Sequence, residues 1–100
     1  MNLIQNNIII CYDITSNKLR NKIHKAMKDY GKRLQRSVYL CQLDDINLNR
    51  CRDRLTQILN KNSNAKNPGD GLFIIKKVDP DDTDCLLGEK ITQDDNYRIY

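Results

Sequence analysis

Asp13 stands at the end of an apolar run, Ile8-Ile9-Ile10-Cys11-Tyr12, and is followed by Ile14 and then Thr15-Ser16-Asn17. The run reads as a buried strand, and the three residues after Ile14 are helix N-cap types. A carboxylate where a central strand gives way to a helix is well placed to act on a substrate or a metal. Its surroundings in the sequence are basic. The window Lys18 to Arg36 holds eight Lys or Arg and one acid, Asp29. Arg20, Arg33 and Arg36 offer planar guanidinium forks suited to phosphate oxygens. A carboxylate among arginines points to chemistry on phosphate esters. The plainer alternatives are an Asp13 that only caps the helix and arginines that are solvated surface charges.

The rest of the chain supports a polyanion partner. Residues 1–78 carry 15 Lys or Arg against 6 Asp or Glu, whereas residues 79–100 carry 2 against 7. A basic body with an acidic tail fits a polyanion-binding body and favours nucleic acid over the plainer alternative, a solvated basic surface with a disordered tail. Lys18, Lys22 and Lys25 recur on one side of the predicted first helix and, with Arg33 and Arg36, are the candidate nucleic-acid contacts. His24 is the sole histidine, so no Ser/His or Cys/His pair is in view, and an exposed helix position is its expected place. The four cysteines, Cys11, Cys41, Cys51 and Cys85, lack C-x-x-C spacing, so no zinc site is expected. Reduced thiols that pack as small hydrophobes are expected instead. With no signal-peptide pattern and no span-length apolar stretch, the expected location is cytoplasmic, with no membrane contact. Asp81, Asp82 and Asp84 read as a solvated acidic run.

The elements that position these residues follow from periodicity. A strand is predicted over about 7–13 and a helix over 17–30, with Leu19, Ile23, Ala26, Met27 and Tyr30 on its inner stripe. Gly31 is expected just past that helix as its C′ residue. Residues 32–43 read as two strands broken near Arg36-Ser37. Asp44-Asp45 opens a second helix whose body is predicted over 48–60. A loop rich in Asn, Pro and Gly fills 61–71, and a strand runs from Leu72 to near Val78. The expected organisation is a domain over 1–78 and an acidic tail over 79–100 with a short extra strand near 86–91. Strand, helix, two strands, helix, strand is the order of a ferredoxin-like α+β sandwich. Two helices cover only one face of four strands, yet the strands at 8–12 and 72–75 are apolar at successive residues. Alternation is expected when one face meets water. Both faces must therefore be covered, most economically by a second copy packed sheet to sheet.

Three separated motifs, Cys11-Tyr12-Asp13-Ile14, Lys18-Leu19-Arg20 and Tyr30-Gly31-Lys32-Arg33-Leu34-Gln35-Arg36-Ser37-Val38-Tyr39, resemble in order and spacing the family of CRISPR-associated protein 2. The resemblance covers about residues 8–43. It implies a ferredoxin-like homodimer that acts in CRISPR spacer acquisition, binds double-stranded DNA and bridges integrase subunits (CRISPR-associated protein 1). It also implies metal-dependent endonuclease activity on DNA or single-stranded RNA, with Mg²⁺ or Mn²⁺. The family's catalytic aspartate falls on Asp13, its neighbouring aromatic on Tyr12, its basic site positions on Arg20 and Arg33, and a further aromatic position on Tyr39. Tyr39 stands where Phe is common, and Lys22 where Arg is frequent. One carboxylate per chain is a poor magnesium site, so two copies of Asp13 are expected to share an ion across the twofold axis. Such an ion would polarise a phosphoryl oxygen and generate the attacking hydroxide. The alternative function is a non-catalytic DNA-binding adaptor between integrase subunits.

Overall fold

The computed structural model describes residues 5–82, 84 and 86. Its elements are β1 (Asn6–Asp13), α1 (Asn17–Met27), β2 (Gly31–Gln35), β3 (Val38–Leu43), α2 (Asp45–Lys61) and β4 (Gly71–Ile75). The strands form one antiparallel sheet in the order β2-β3-β1-β4. This is the expected ferredoxin-like βαββαβ sandwich, with both helices on one face. The extra strand near 86–91 and most of the tail over 79–100 lie outside the described residues.

Successive side chains of a strand point to opposite faces, and β1 sorts its residues accordingly. Ile8, Ile10 and Tyr12 turn toward the helices and are buried. There they meet Leu19, Ile23, Ala26 and Met27 of α1, Leu48, Cys51 and Leu55 of α2, and Tyr39, Cys41 and Leu43 of β3. Ile9, Cys11 and Asp13 point the other way. Cross-strand partners share a face, so Ile75 (opposite Ile9), Phe73 (opposite Cys11), Leu40 and Val38 join them. Phe73 and Ile75 remain 63% and 51% exposed. The face without helices is therefore apolar at its centre, which explains why the strand sequences did not alternate.

Local differences from the sequence reading have local causes. Helix α1 ends at Met27, three residues early. The N–H groups of Asp29 and Tyr30 bond back three residues, to the carbonyls of Ala26 and Met27 at 3.1 and 3.0 Å, and this tighter winding closes the helix. Gly31 is therefore the first residue of β2, not a helix C′ residue. Its glycine is required by space: a Cβ there would lie 2.5 Å from Cys41 Sγ and 2.7 Å from the Leu40 carbonyl oxygen. The break at Arg36-Ser37 is found as expected, with a register shift between Arg33 and Gln35. Helix α2 begins at Asp45 because the buried Asp44 caps it, its Oδ1 accepting from Asn47 N–H at 2.8 Å. Strand β4 stops at Ile75, short of Val78, because Lys77 takes a left-handed φ of 60°. Val78 N–H nonetheless rejoins the Asn7 carbonyl at 2.8 Å. Cys41 and Cys51 are buried and free. Burial pushes both thiols up, that of Cys51 to about 11, so they are protonated packing groups.

Because the obstruction at Gly31 includes backbone, Gly31→Ala is expected to destabilise the fold by about 1–3 kcal/mol. Chemical denaturation of the variant checks this, and an unchanged midpoint would remove the steric argument.

Candidate functional site

Asp13 ends β1 on the helix-free face and is exposed. It is not the cap of α1. Ser16 takes that role, its Oγ accepting from Leu19 N–H at 3.2 Å. The carboxylate is thus free of the structural duty that offered the plainer reading of it. Asp13 lines a cleft of about 220 Å³ with Ile14, Arg20, Arg36 and Ser37. Arg20 is held in place by donating to the Ile14 carbonyl at 2.9 Å and to Asn17 Oδ1. The turn after Asp13 is pinned from the other side by Asp70. Its Oδ1 accepts from Thr15 N–H at 3.0 Å and Thr15 Oγ1 at 2.9 Å, and its Oδ2 accepts from Asn67 N–H at 2.9 Å. The donation from Asn67, then those from Thr15, hold the Asp70 carboxyl below the usual carboxylate range.

A second cleft, of about 230 Å³, opens on the helix side of the same strand end. Tyr12, Arg20, Asn21, His24, Arg33 and Arg36 line it. Arg20 and Arg36 border both clefts, so the two guanidinium groups wrap around the end of β1. Tyr12 is 6% exposed, and its hydroxyl is fully buried beside the Tyr39 phenol. Its ring stacks on Tyr39 with centroids 6.3 Å apart and planes 16° from parallel. Burial and the neighbouring Tyr39 phenol hold the Tyr12 proton far above the ordinary phenol range. Tyr39 is buried in turn, which raises its phenol, and its Oη is hydrogen-bonded to His24 Nδ1. Burial, followed by the charges of Arg33 and Lys28, lowers the His24 imidazole from its ordinary value of 6.5.

The structure thus gathers Tyr12, Arg20, Arg33, Arg36 and Tyr39 into one neighbourhood and sets Asp13 on the far side of the strand from Tyr12. Lys18, Lys22 and Lys25 are all exposed on α1 and line neither cleft. Lys22 Nζ donates to Asn62 Oδ1 at 2.8 Å, tying α1 to the end of α2. The sequence reading missed His24 and Asn21. His24 is half-buried and bonded rather than freely exposed, and its spacing of four from Arg20, one helical turn, was the available signal. A larger cleft of about 410 Å³ lies at the opposite end of β1, where Asp45 accompanies Arg52, Lys76 and Lys77. It brings together no two of the predicted site residues. Among the described residues no three His, Cys, Asp or Glu side chains group as metal ligands, and no helix is long and apolar enough to cross a membrane.

The sequence profile of the family described as CRISPR associated protein Cas2 matches residues 6–76, a span that includes every site residue named above. The chain belongs to the Cas2 family. One relative, from Pyrobaculum aerophilum, is 39% identical over 59 residues, 58% of this chain and 64% of its own length. It is named a CRISPR-associated endoribonuclease Cas2. A second, from Moorella thermoacetica, carries the same name and is 29% identical over 63 residues, 58% of this chain and 66% of its own length. The matched stretch therefore spans just under two thirds of either relative. The crystal structure of a hypothetical protein TT1823 from Thermus thermophilus superposes with a TM-score of 0.70 at 28% identity, covering 85% of this chain and 95% of that one. In this Cas2 chain the paired clefts at the end of β1 lie inside the family match, and the acidic tail lies beyond it.

A lowered imidazole gives a signed expectation. Where the unfolded chain binds a proton that the folded chain resists, stability rises with pH. The His24 contribution is therefore expected to grow as pH rises through the window just below 6.5, and to be lost as pH falls through it. Imidazole resonances followed by NMR should titrate below 6.5, and Arg33→Ala should move the midpoint upward. A midpoint above 6.5 in the parent protein contradicts the described environment.

Proposed function

We propose that this Cas2 chain is a nucleic-acid-binding subunit of CRISPR adaptation that hydrolyses phosphodiester bonds of RNA or DNA as a homodimer. The observation that carries the reading is the Asp13 cleft: an exposed carboxylate, relieved of capping, between Arg20 and Arg36. The names of the relatives, CRISPR-associated endoribonucleases, support the nuclease part.

The chemistry asked of the chain is positioning and charge balance. Arg20 is pre-oriented by Ile14 and Asn17, so its remaining donors meet phosphate oxygens without first losing side-chain freedom. Arg36 and Arg33 add charge where the oxygens gain it. One chain by itself does not fit a resident ion, since Asp13 has no grouped carboxylates, imidazoles or thiols beside it among the described residues. Two chains improve the fit. Asp13 lies on the face of Ile9, Cys11, Phe73 and Ile75, the face through which a second copy would cover the exposed apolar centre. Mg²⁺ or Mn²⁺ shared between two Asp13 carboxylates would supply Lewis-acid activation of the phosphoryl group.

The lone carboxylate favours a second reading, in which the basic body holds double-stranded DNA and bridges the integrase subunit (CRISPR-associated protein 1) without catalysis. Asp13→Asn separates the two. Under the first reading nuclease activity in Mg²⁺ is expected to fall by about 100-fold or more, with nucleic-acid binding retained. Full cleavage by the variant sinks the nuclease assignment of Asp13, and spacer acquisition that survives the change supports the adaptor. For the pairing, light scattering is expected to give a dimer for the parent and a monomer for Phe73→Asp, which places a charge at the centre of the apolar face. A parent protein that is monomeric at all concentrations ends the shared-site proposal.

A further inference from the structure

The helix-side cleft holds more positive charge than an internal phosphodiester requires. Three arginines line it together with Tyr12, Asn21 and His24, and no carboxylate does. Arg33 and Arg36 have no acidic partner among the described residues, and Arg20 bonds only to neutral acceptors. An internal linkage carries a single charge, whereas a phosphate monoester carries about 1.5–2 at neutral pH and offers three strong acceptor oxygens. At about 230 Å³ the cleft is also smaller than the pockets of roughly 300–1,000 Å³ that enclose drug-sized ligands. It fits a phosphate group better than a whole nucleotide.

An imidazole completes the set. His24 lines the cleft, and its Nδ1 is hydrogen-bonded to Tyr39 Oη. That contact occupies Nδ1 and leaves Nε2 as the ring nitrogen that can donate to a ligand.

We infer that the cleft between α1 and β2 seats the terminal phosphate monoester of a nucleic-acid strand, with Arg20, Arg33 and Arg36 balancing its charge and His24 donating to its oxygens. Tyr39 is a positioning residue that holds His24. The inference rests on the nucleic-acid reading above and extends it to strand ends. Because Arg20 and Arg36 also border the Asp13 cleft, a strand held by its end leads toward the carboxylate.

The test is binding without cleavage. Fluorescence anisotropy of the full chain in chelator compares duplexes and single strands ending in 5′-phosphate, 3′-phosphate or hydroxyl, with inorganic phosphate as competitor. One phosphate-ended set is expected to bind about tenfold or more tightly than the hydroxyl-ended set, and which set does so distinguishes the 5′ end from the 3′ end. Arg33→Ala and His24→Leu should erase that preference, and Tyr39→Phe should reduce it. Equal affinity for phosphate and hydroxyl ends overturns the inference and leaves nucleic-acid binding intact. No binding of any strand overturns both. A preference that persists in the Arg33→Ala variant and in the His24→Leu variant places the seat elsewhere, and inorganic phosphate bound with no end preference identifies a free-anion site instead.

Discussion

Everything at the end of β1 follows from the two-residue alternation of an extended chain. Tyr12 and Asp13 are neighbours in sequence, and strand geometry sends them to opposite faces of the sheet. Tyr12 enters the space between sheet and helices, and Asp13 faces the side that no helix covers. A shift of one residue in the register of β1 would exchange them and bury a carboxylate. The register is secured because Ile8 and Ile10 must lie against Leu19, Ile23 and Met27.

Arginine length spans the separation that the strand imposes. Arg20 comes from the first turns of α1 and Arg36 from the connection between β2 and β3, yet both border the clefts on either side of β1. Long, apolar-stemmed side chains with a rigid charged end suit such a bridge. The local supports are equally specific. Ser16 caps α1 and so spares Asp13, Asp70 fastens Thr15, and Gly31 lets β2 approach β3 closely enough to bring Arg33 opposite Tyr39. These contacts link a one-atom requirement at Gly31 to the charge of the helix-side cleft.

The two faces of the sheet carry different chemistry. On the helix side, stacked phenols and a hydrogen-bonded imidazole sit beside arginines, and burial raises the phenols and lowers the imidazole. On the bare side, an exposed carboxylate lies at the rim of an apolar patch centred on Phe73 and Ile75. The separation preserves the positive potential of the arginine cleft, which a carboxylate inside it would cancel.

The sequence by itself determined the order and kinds of elements, because the Ile-rich runs and the stripe Leu19-Ile23-Met27 leave few alternatives to a strand and an amphipathic helix. It also marked Asp13, Arg20, Arg33 and Arg36, whose types and clustering signal phosphate chemistry without reference to contacts. It anticipated the turn at Arg36-Ser37 and an apolar second face. Tertiary structure alone decided what is brought together. That Asp13 is not the helix cap, that Gly31 serves close packing rather than helix termination, and that Lys18, Lys22 and Lys25 stand apart from both clefts are facts of placement. His24 shows the reason most plainly. Its pairing with Tyr39 spans fifteen positions in the chain and depends on how α1 lies across β3, and no local pattern encodes an angle between two packed elements.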